Sequence, residues 1–233
     1  MEMKTYFEEL KTANKQRYQI KIPSIRMVIW FVSVLIALVI ILALIFAPRD
    51  EMDYHFRRER GVLTALSSIF LAIACGMAGS SFFLTDRENK TQKLFWFLVM
   101  LAFLFLSMDE LMLWHEKWGR WIGKNWLEPP QIFRNWNDVV VILYGLGAII
   151  FFAYFLPVIL RYPKFIEILV IAFVFYIVHT GVDSFVYEKR VRFNVLEETC
   201  KIFSSGYFSI AMFVGLLGNV VNFSLANSNE KKF

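Results

Sequence analysis

Six stretches of this sequence, each close to the length a helix needs to cross a lipid bilayer, are free or nearly free of charge. A hydrocarbon layer of about 30 Å takes about 20 helical residues at about 1.5 Å each. The runs cover residues 27–47, 61–84, 94–116, 139–160, 165–185 and 196–223. A chain that makes such runs can satisfy its backbone in lipid only as helices or as a closed barrel. Barrel strands alternate apolar and polar residues over about ten positions, and none of the runs does. The expectation is an all-α, polytopic integral membrane bundle of six transmembrane helices.

Composition agrees with this. Of the 233 residues 58% are hydrophobic and 19% charged, against about 45–50% and about 25% in soluble domains. The net charge of +5 does not point to nucleic acid, because the basic residues sit in short loops beside apolar runs, where they act as topology signals. Six crossings put both ends of the chain on one membrane side. That side carries slightly more Lys and Arg than the other, so the termini are expected in the cytoplasm. Residues 1–26 read as a cytoplasmic amphipathic segment, with Tyr6, Phe7, Leu10 and Tyr18 among Glu8, Glu9, Lys11 and Lys15, lying on the membrane surface or in water. Residues 27–225 form the bundle and 226–233 a polar tail. Residues 27–47 are expected to stay as an anchor, since Pro48 and Arg49 follow where a cleavage site would need small residues. Cys75 and Cys200 are too few for a disulfide framework and are not expected to pair.

In the second run Ala72, Gly76 and Ser80 recur every four residues, with Cys75 and Gly79 adjoining them, a spacing that lets helix backbones approach closely. Gly145, Gly147, Gly206, Gly215 and Gly218 fit the same packing account. Trp114, Trp118, Trp121, Trp126 and Trp136 cluster between the third and fourth runs, where indoles form an interfacial belt or a surface for an apolar partner or lipid.

Ionisable side chains inside a membrane span are costly and need a partner, a cavity or a task. Asp109 lies about 22 Å along the third run and His179 about 21 Å along the fifth, so the two stand at one depth. Asp183 lies one turn beyond His179, and Glu197 and Glu198 open the sixth run on the same side. Glu116 shares the face of Asp109, whereas Glu110 projects about 100° away and His115 is also well off that face. The inward set is therefore Asp109, Glu116, His179 and Asp183 with Glu197 or Glu198. Imidazole with carboxylates suits a divalent metal such as zinc, iron or manganese. The same groups suit proton transfer or a structural network in which Lys201 pairs with Glu197 and Arg190 or Arg192 meets Asp109 or Asp183. His55, in a charged loop, reads as a solvated surface residue.

The pair Asp109-Glu110 followed by His115-Glu116, with Glu197-Glu198 opening a later span, resembles a pattern in uncharacterised prokaryotic polytopic membrane proteins. A second resemblance is to membrane hydrolases of the alkaline ceramidase and related receptor superfamily. These bury a zinc site of histidines and an aspartate among seven helices, with a serine nearby. That resemblance implies a role for Ser67 or Ser68 beside Asp109. The chain differs in having six spans, and in having Asp183 rather than a histidine at i+4 from His179.

Two functions follow from the sequence. One is an accessory or structural subunit of a larger membrane assembly, in contact with lipid and with partner membrane proteins or further copies of itself; the reading leans toward this one. The other is a metal-dependent membrane enzyme or proton-coupled transporter that uses the carboxylate and histidine cluster.

Overall fold

A computed structural model describes residues 3–17, 24–48, 51–56, 61–125, 135–162, 164–186 and 191–230. Side chains are placed for all of these except 3–4, 13–17 and 225–230. Tyr18, Arg57, Arg58, Trp126, Arg190 and residues 231–233 therefore lie outside the account that follows. The described residues form α-helices and turns, with no strand among them. The helices are α1 (Met3–Arg17), α2 (Arg26–Ile45), α3 (Val62–Leu84), α4 (Lys90–Met112), α5 (Trp114–Asn125), α6 (Trp136–Tyr154), α7 (Leu156–Ile159), α8 (Phe165–Phe185) and α9 (Val191–Glu230). Among the described residues, six helices are long and apolar enough to cross a membrane: α2, α3, α4, α6, α8 and the Val191–Ser224 part of α9.

Local chemistry sets the helix ends. Asn89 caps α4 by accepting from the Gln92 amide. Asn135 and Asp138 form a reciprocal capping box that starts α6 at Trp136, three residues before the expected run begins. Pro157 lacks an amide proton and its ring would clash with the preceding turn. Accordingly α6 stops at Tyr154 and the short α7 carries Pro157 in its first turn. The third run is also cut short: α4 ends at Met112, Leu113 takes a left-handed conformation at φ 54°, and α5 starts in a new direction. At the other extreme, α9 continues past the expected end of the sixth run to Glu230.

The α9 helix packs against α2, α3 and α8, with α3 against α4 and α5 against α6. The core runs through Phe95, Trp96, Phe155, Phe165, Ile210 and Met212. α1 lies against α7, and the Tyr6 hydroxyl donates to the Ala153 carbonyl at 2.7 Å.

A buried polar lock closes one end of this core. The Tyr162 hydroxyl donates to Asn219 Oδ1 at 2.7 Å and accepts from Gln92 Nε2 and from Trp96 Nε1. Burial pushes the Tyr162 phenol up to about 12, so it keeps the proton it donates. Glycines make room for these rings. A Cβ at Gly215 would run into Trp96, and one at Gly218 into Tyr162. Gly145 and Gly206 are likewise closely approached, by Tyr176 and Ile36, whereas a Cβ at Gly147 would meet open space.

The expected Ala72, Gly76 and Ser80 packing stripe is corrected here. All three are exposed, and a Cβ at Gly76 would touch nothing. The inner face of α3 is made instead by Ser67, Ser68, Leu71, Ala74, Ala78 and Gly79. Ser68 Oγ donates to the Ser107 carbonyl at 2.9 Å and Ser107 Oγ to the Ser68 carbonyl at 3.0 Å, which clasps α3 to α4. Cys75 and Cys200 are both free thiols.

Gly218→Ala is expected to cost about 1–3 kcal/mol through overpacking, and Gly147→Ala to stabilise by about 0.5–1 kcal/mol through helix propensity. Denaturation of the purified variants in detergent tests this, and equal midpoints for the two would contradict the packing account.

Candidate functional site

The site lies at the opposite end of the core from the Tyr162 lock, where the start of α3, the end of α4, the start of α6, the end of α8 and the start of α9 come together. These five ends enclose a cavity of about 520 Å³. All six predicted site residues, Asp109, Glu116, His179, Asp183, Glu197 and Glu198, line it. Glu110, His115, Asp138 and Lys201 do so as well, with Tyr144, Tyr176 and Phe208 as aromatic wall.

The geometry corrects the sequence reading in two places. On a continuous helix through 94–116, His115 would point away from Asp109. The left-handed Leu113 ends α4 and folds the start of α5 back over its last turn. The His115 amide then donates to Asp109 Oδ1 at 2.8 Å, and His115 Nδ1 lies 2.9 Å from Asp109 Oδ2. Both oxygens of a carboxylate that is 5% exposed are thus taken by one residue. Burial pushes the His115 pKa down, but the hydrogen bond and the negative charge of Asp109, with Glu110 and Glu116 nearby, outweigh it and hold His115 above the usual histidine range.

The second correction concerns Lys201. Its ammonium pairs with Glu198 at 2.8 Å and with Glu110 at 3.1 Å, rather than with Glu197. Glu110 reaches it across the cavity from α4, so the acid that a straight helix turns away from Asp109 becomes the link between α4 and α9. Glu116 is held by Arg120 at 3.0 Å. Ion pairing of this kind was expected of the acids, though the partners differ from those proposed. Arg190 lies outside the described residues.

The metal reading gains nothing from this arrangement. Among the described residues, no three His, Cys, Asp or Glu side chains stand together so that they could hold one ion. Of the cavity carboxylates, Glu110 and Glu198 pair with Lys201, Glu116 with Arg120 and Asp109 with His115. The zinc site implied by the hydrolase resemblance thus has no counterpart among them. Ser67 lines the cavity, while Ser68 is occupied in the clasp to Ser107.

Two supports went unread in the sequence. Asn194 Nδ2 donates to the buried Asp53 Oδ2 at 2.7 Å, which docks the 51–56 segment on α9 and brings Phe56 to the cavity. His55 in that segment is half-buried and meets the Tyr54 ring edge-on. Gly119 is where α5 crosses α6: a Cβ there would overlap Asn137. That contact leaves Trp118 and Trp121 exposed on the far face of α5, edge to face with each other.

Fold and site together define a protein of six bilayer-length helices with a carboxylate- and histidine-walled cavity at one end of the bundle. The family described as Domain of unknown function (DUF8692) matches residues 59–216, more than half of the chain, and the chain belongs to that family. No curated protein and no solved structure matches it. The matched stretch holds every ionisable residue of the cavity.

A histidine whose folded pKa is raised contributes stability that is fully present below its unfolded value, about 6.5, and is lost as pH rises through the folded value. The stability difference between wild type and His115→Gln is therefore expected to shrink as pH rises through that value. It should lose this step in the Asp109→Asn background. Thermal denaturation across about pH 5 to 9 measures it, and a difference that is flat in pH with Asp109 intact would contradict the pairing. Gly119→Val is expected to be destabilising by more than about 1 kcal/mol on the same assay, because it forces α5 off α6.

Proposed function

We propose that this chain is a multi-pass integral membrane protein, with both termini in the cytoplasm, that takes a small polar solute or lipid head group into the cavity at the outer membrane boundary. The membrane assignment is supported by the faces that α2 and α6 leave uncovered. Trp30, Phe31, Val34, Leu38 and Ile41 on α2, and Leu143, Leu146, Ile149 and Ile150 on α6, are exposed in a pattern that suits hydrocarbon as solvent. The excess of Lys and Arg on the terminal side supports the orientation.

One observation carries the binding reading: seven carboxylates, two histidines and a lysine from four helices and the start of α5 meet around a single space of about 520 Å³. Cavities of about 300–1,000 Å³ with a few convergent polar groups are the usual size of small-molecule sites. A structural network needs no such space, since ion pairs can close on one another. Ionised carboxylates only accept hydrogen bonds, so a wall dominated by them selects a ligand rich in donors or positively charged. The aromatic rings of Tyr144, Tyr176 and Phe208 in the same wall favour a cation as well.

The accessory-subunit reading is the competitor, and the exposed Ala72, Gly76 and Ser80 stripe on α3 favours it, as a face able to receive a partner helix. A thermal-shift panel on the full chain in nanodiscs separates the two. Ethanolamine and choline are expected to raise the midpoint more than inorganic phosphate or succinate. Asp183→Asn or Glu197→Gln should weaken that response about tenfold, the loss of one charge-assisted contact. No response to any member of the panel, together with a fixed companion protein in stoichiometric amount, would overturn the binding reading in favour of the subunit.

A further inference from the structure

We infer that His115 is a proton-transfer residue of this cavity, and that the protein performs acid–base chemistry on what it binds. The inference deepens the binding reading and rests on it for the identity of the site. Three observations support it.

First, the imidazole is oriented by a buried acid. Asp109 accepts from the His115 amide and faces Nδ1 at 2.9 Å, so main chain and ring are fixed by the same carboxylate. A carboxylate at Nδ1 favours the tautomer with the proton on that nitrogen, which leaves Nε2 with a free lone pair. Second, Nε2 has no hydrogen-bond partner among the described residues and is not sealed in the interior, while the ring lines the cavity. Third, the backbone is arranged to make the pair. Leu113 adopts the left-handed conformation, which is uncommon for a residue with a branched side chain, and its amide bonds back to the Asp109 carbonyl at 2.7 Å. Without that reversal His115 would face away from Asp109.

The chemistry follows from the pair. Nε2 takes a proton from an O–H, N–H or C–H of the bound molecule, or from water. It holds the proton as imidazolium against Asp109 and returns it to the atom that gains electrons as the substrate bond breaks. His115 is the catalytic residue in this step and Asp109 a positioning residue. Lys201 is engaged by Glu198 and Glu110 in ion pairs and so is not placed to act as the base. His179 stands elsewhere on the wall, on α8. The charges that bear on His115 from its own and the adjoining segments are Asp109, Glu110, Glu116 and Arg120. Asp138 from α6, His179 and Asp183 from α8, and Glu197, Glu198 and Lys201 from α9 line the same cavity.

The chain has three histidines, so nitrogen NMR of the ¹⁵N-histidine full chain in nanodiscs can be assigned with His55→Gln, His115→Gln and His179→Gln. His115 is expected as the Nδ1–H tautomer, titrating above the ordinary histidine value. Asp109→Asn should lower that midpoint and mix the tautomers, and Asp109→Glu should restore part of both. Base activity is read with 5-nitrobenzisoxazole, a probe from which a base removes the C3 proton while the N–O bond breaks to give the cyanophenolate. His115→Gln is expected to lower its rate about tenfold or more, with His55→Gln, outside the cavity wall, near wild type, and Asp109→Asn to shift the pH profile to lower pH. An Nε2–H tautomer, a midpoint unmoved by Asp109→Asn, or equal rates in wild type and His115→Gln would each overturn the inference. If the dyad signature and base activity persist while the thermal-shift panel gives nothing, the binding reading fails and the dyad assignment stands.

Discussion

A carboxylate that faces hydrocarbon is expensive, and this sequence keeps several near one end of its apolar helices. In a bilayer such groups would be tolerated only where the helix ends meet one another before they meet lipid. That requirement organises the structure. Helices α4, α6, α8 and α9 bring Asp109, Asp138, Asp183 and Glu198 to one space, and α3 closes it with serine and threonine. The pairs that form are directional. Lys201 draws Glu198 and Glu110 together, and with them α9 and α4, so the charge network also holds the helices in register. Such a pair is weak support for net stability, because desolvation offsets much of the attraction. Its contribution is to make one arrangement of the helix ends preferable to others.

The two ends of the core solve the polar problem differently. At the Tyr162 end, glycines on α9 let aromatic rings press against the helix, and Gln92, Asn219 and Trp96 satisfy the phenol. At the Asp109 end the side chains are larger and charged, and the helix ends enclose space instead. A rigid, closed end opposite an open, charged one is the arrangement expected where a scaffold positions a site. The continuous α9 connects them, since it carries Glu197, Glu198 and Lys201 near its start and Gly215, Gly218 and Asn219 further on.

Much of this was legible in the sequence. The number of long apolar helices follows from run length, and counting at about 1.5 Å per residue picks out Asp109 and His179, both of which line the cavity. Rise along an axis is a local property, so it survives without tertiary information. Azimuth is less secure. The stripe Ala72, Gly76 and Ser80 has the right period for packing, but a period says only that residues share a face, and the face in contact is the one with Ala74, Ala78 and Gly79. The failure over Glu110 and His115 has a sharper cause. Leu113 offers no glycine, proline or asparagine to announce a break, so the count ran through it as if the helix were straight. The choice of Glu197 for Lys201 rested on i,i+4 spacing, whereas the observed i,i+3 partner Glu198 lets the same ammonium reach Glu110.

The break at Leu113 bears on why the polar residues in this stretch are so closely spaced. From Asp109 to Glu116 a straight helix would place its polar side chains on different faces, and lipid would tolerate only some of them. With α4 ending at Met112, Asp109 and Glu110 belong to one helix while His115 and Glu116 belong to another, set at a different angle. Each helix then needs to turn only two polar residues inward, and all four reach the cavity wall. The same turn lays α5 along α6, where Gly119 permits close contact with Asn137 and Trp118 and Trp121 face outward. One left-handed residue thus accounts both for the orientation of the histidine and for the aromatic surface beside the cavity mouth. This also explains how a chain so rich in apolar residues can bring four ionisable side chains of one eight-residue segment to the cavity wall.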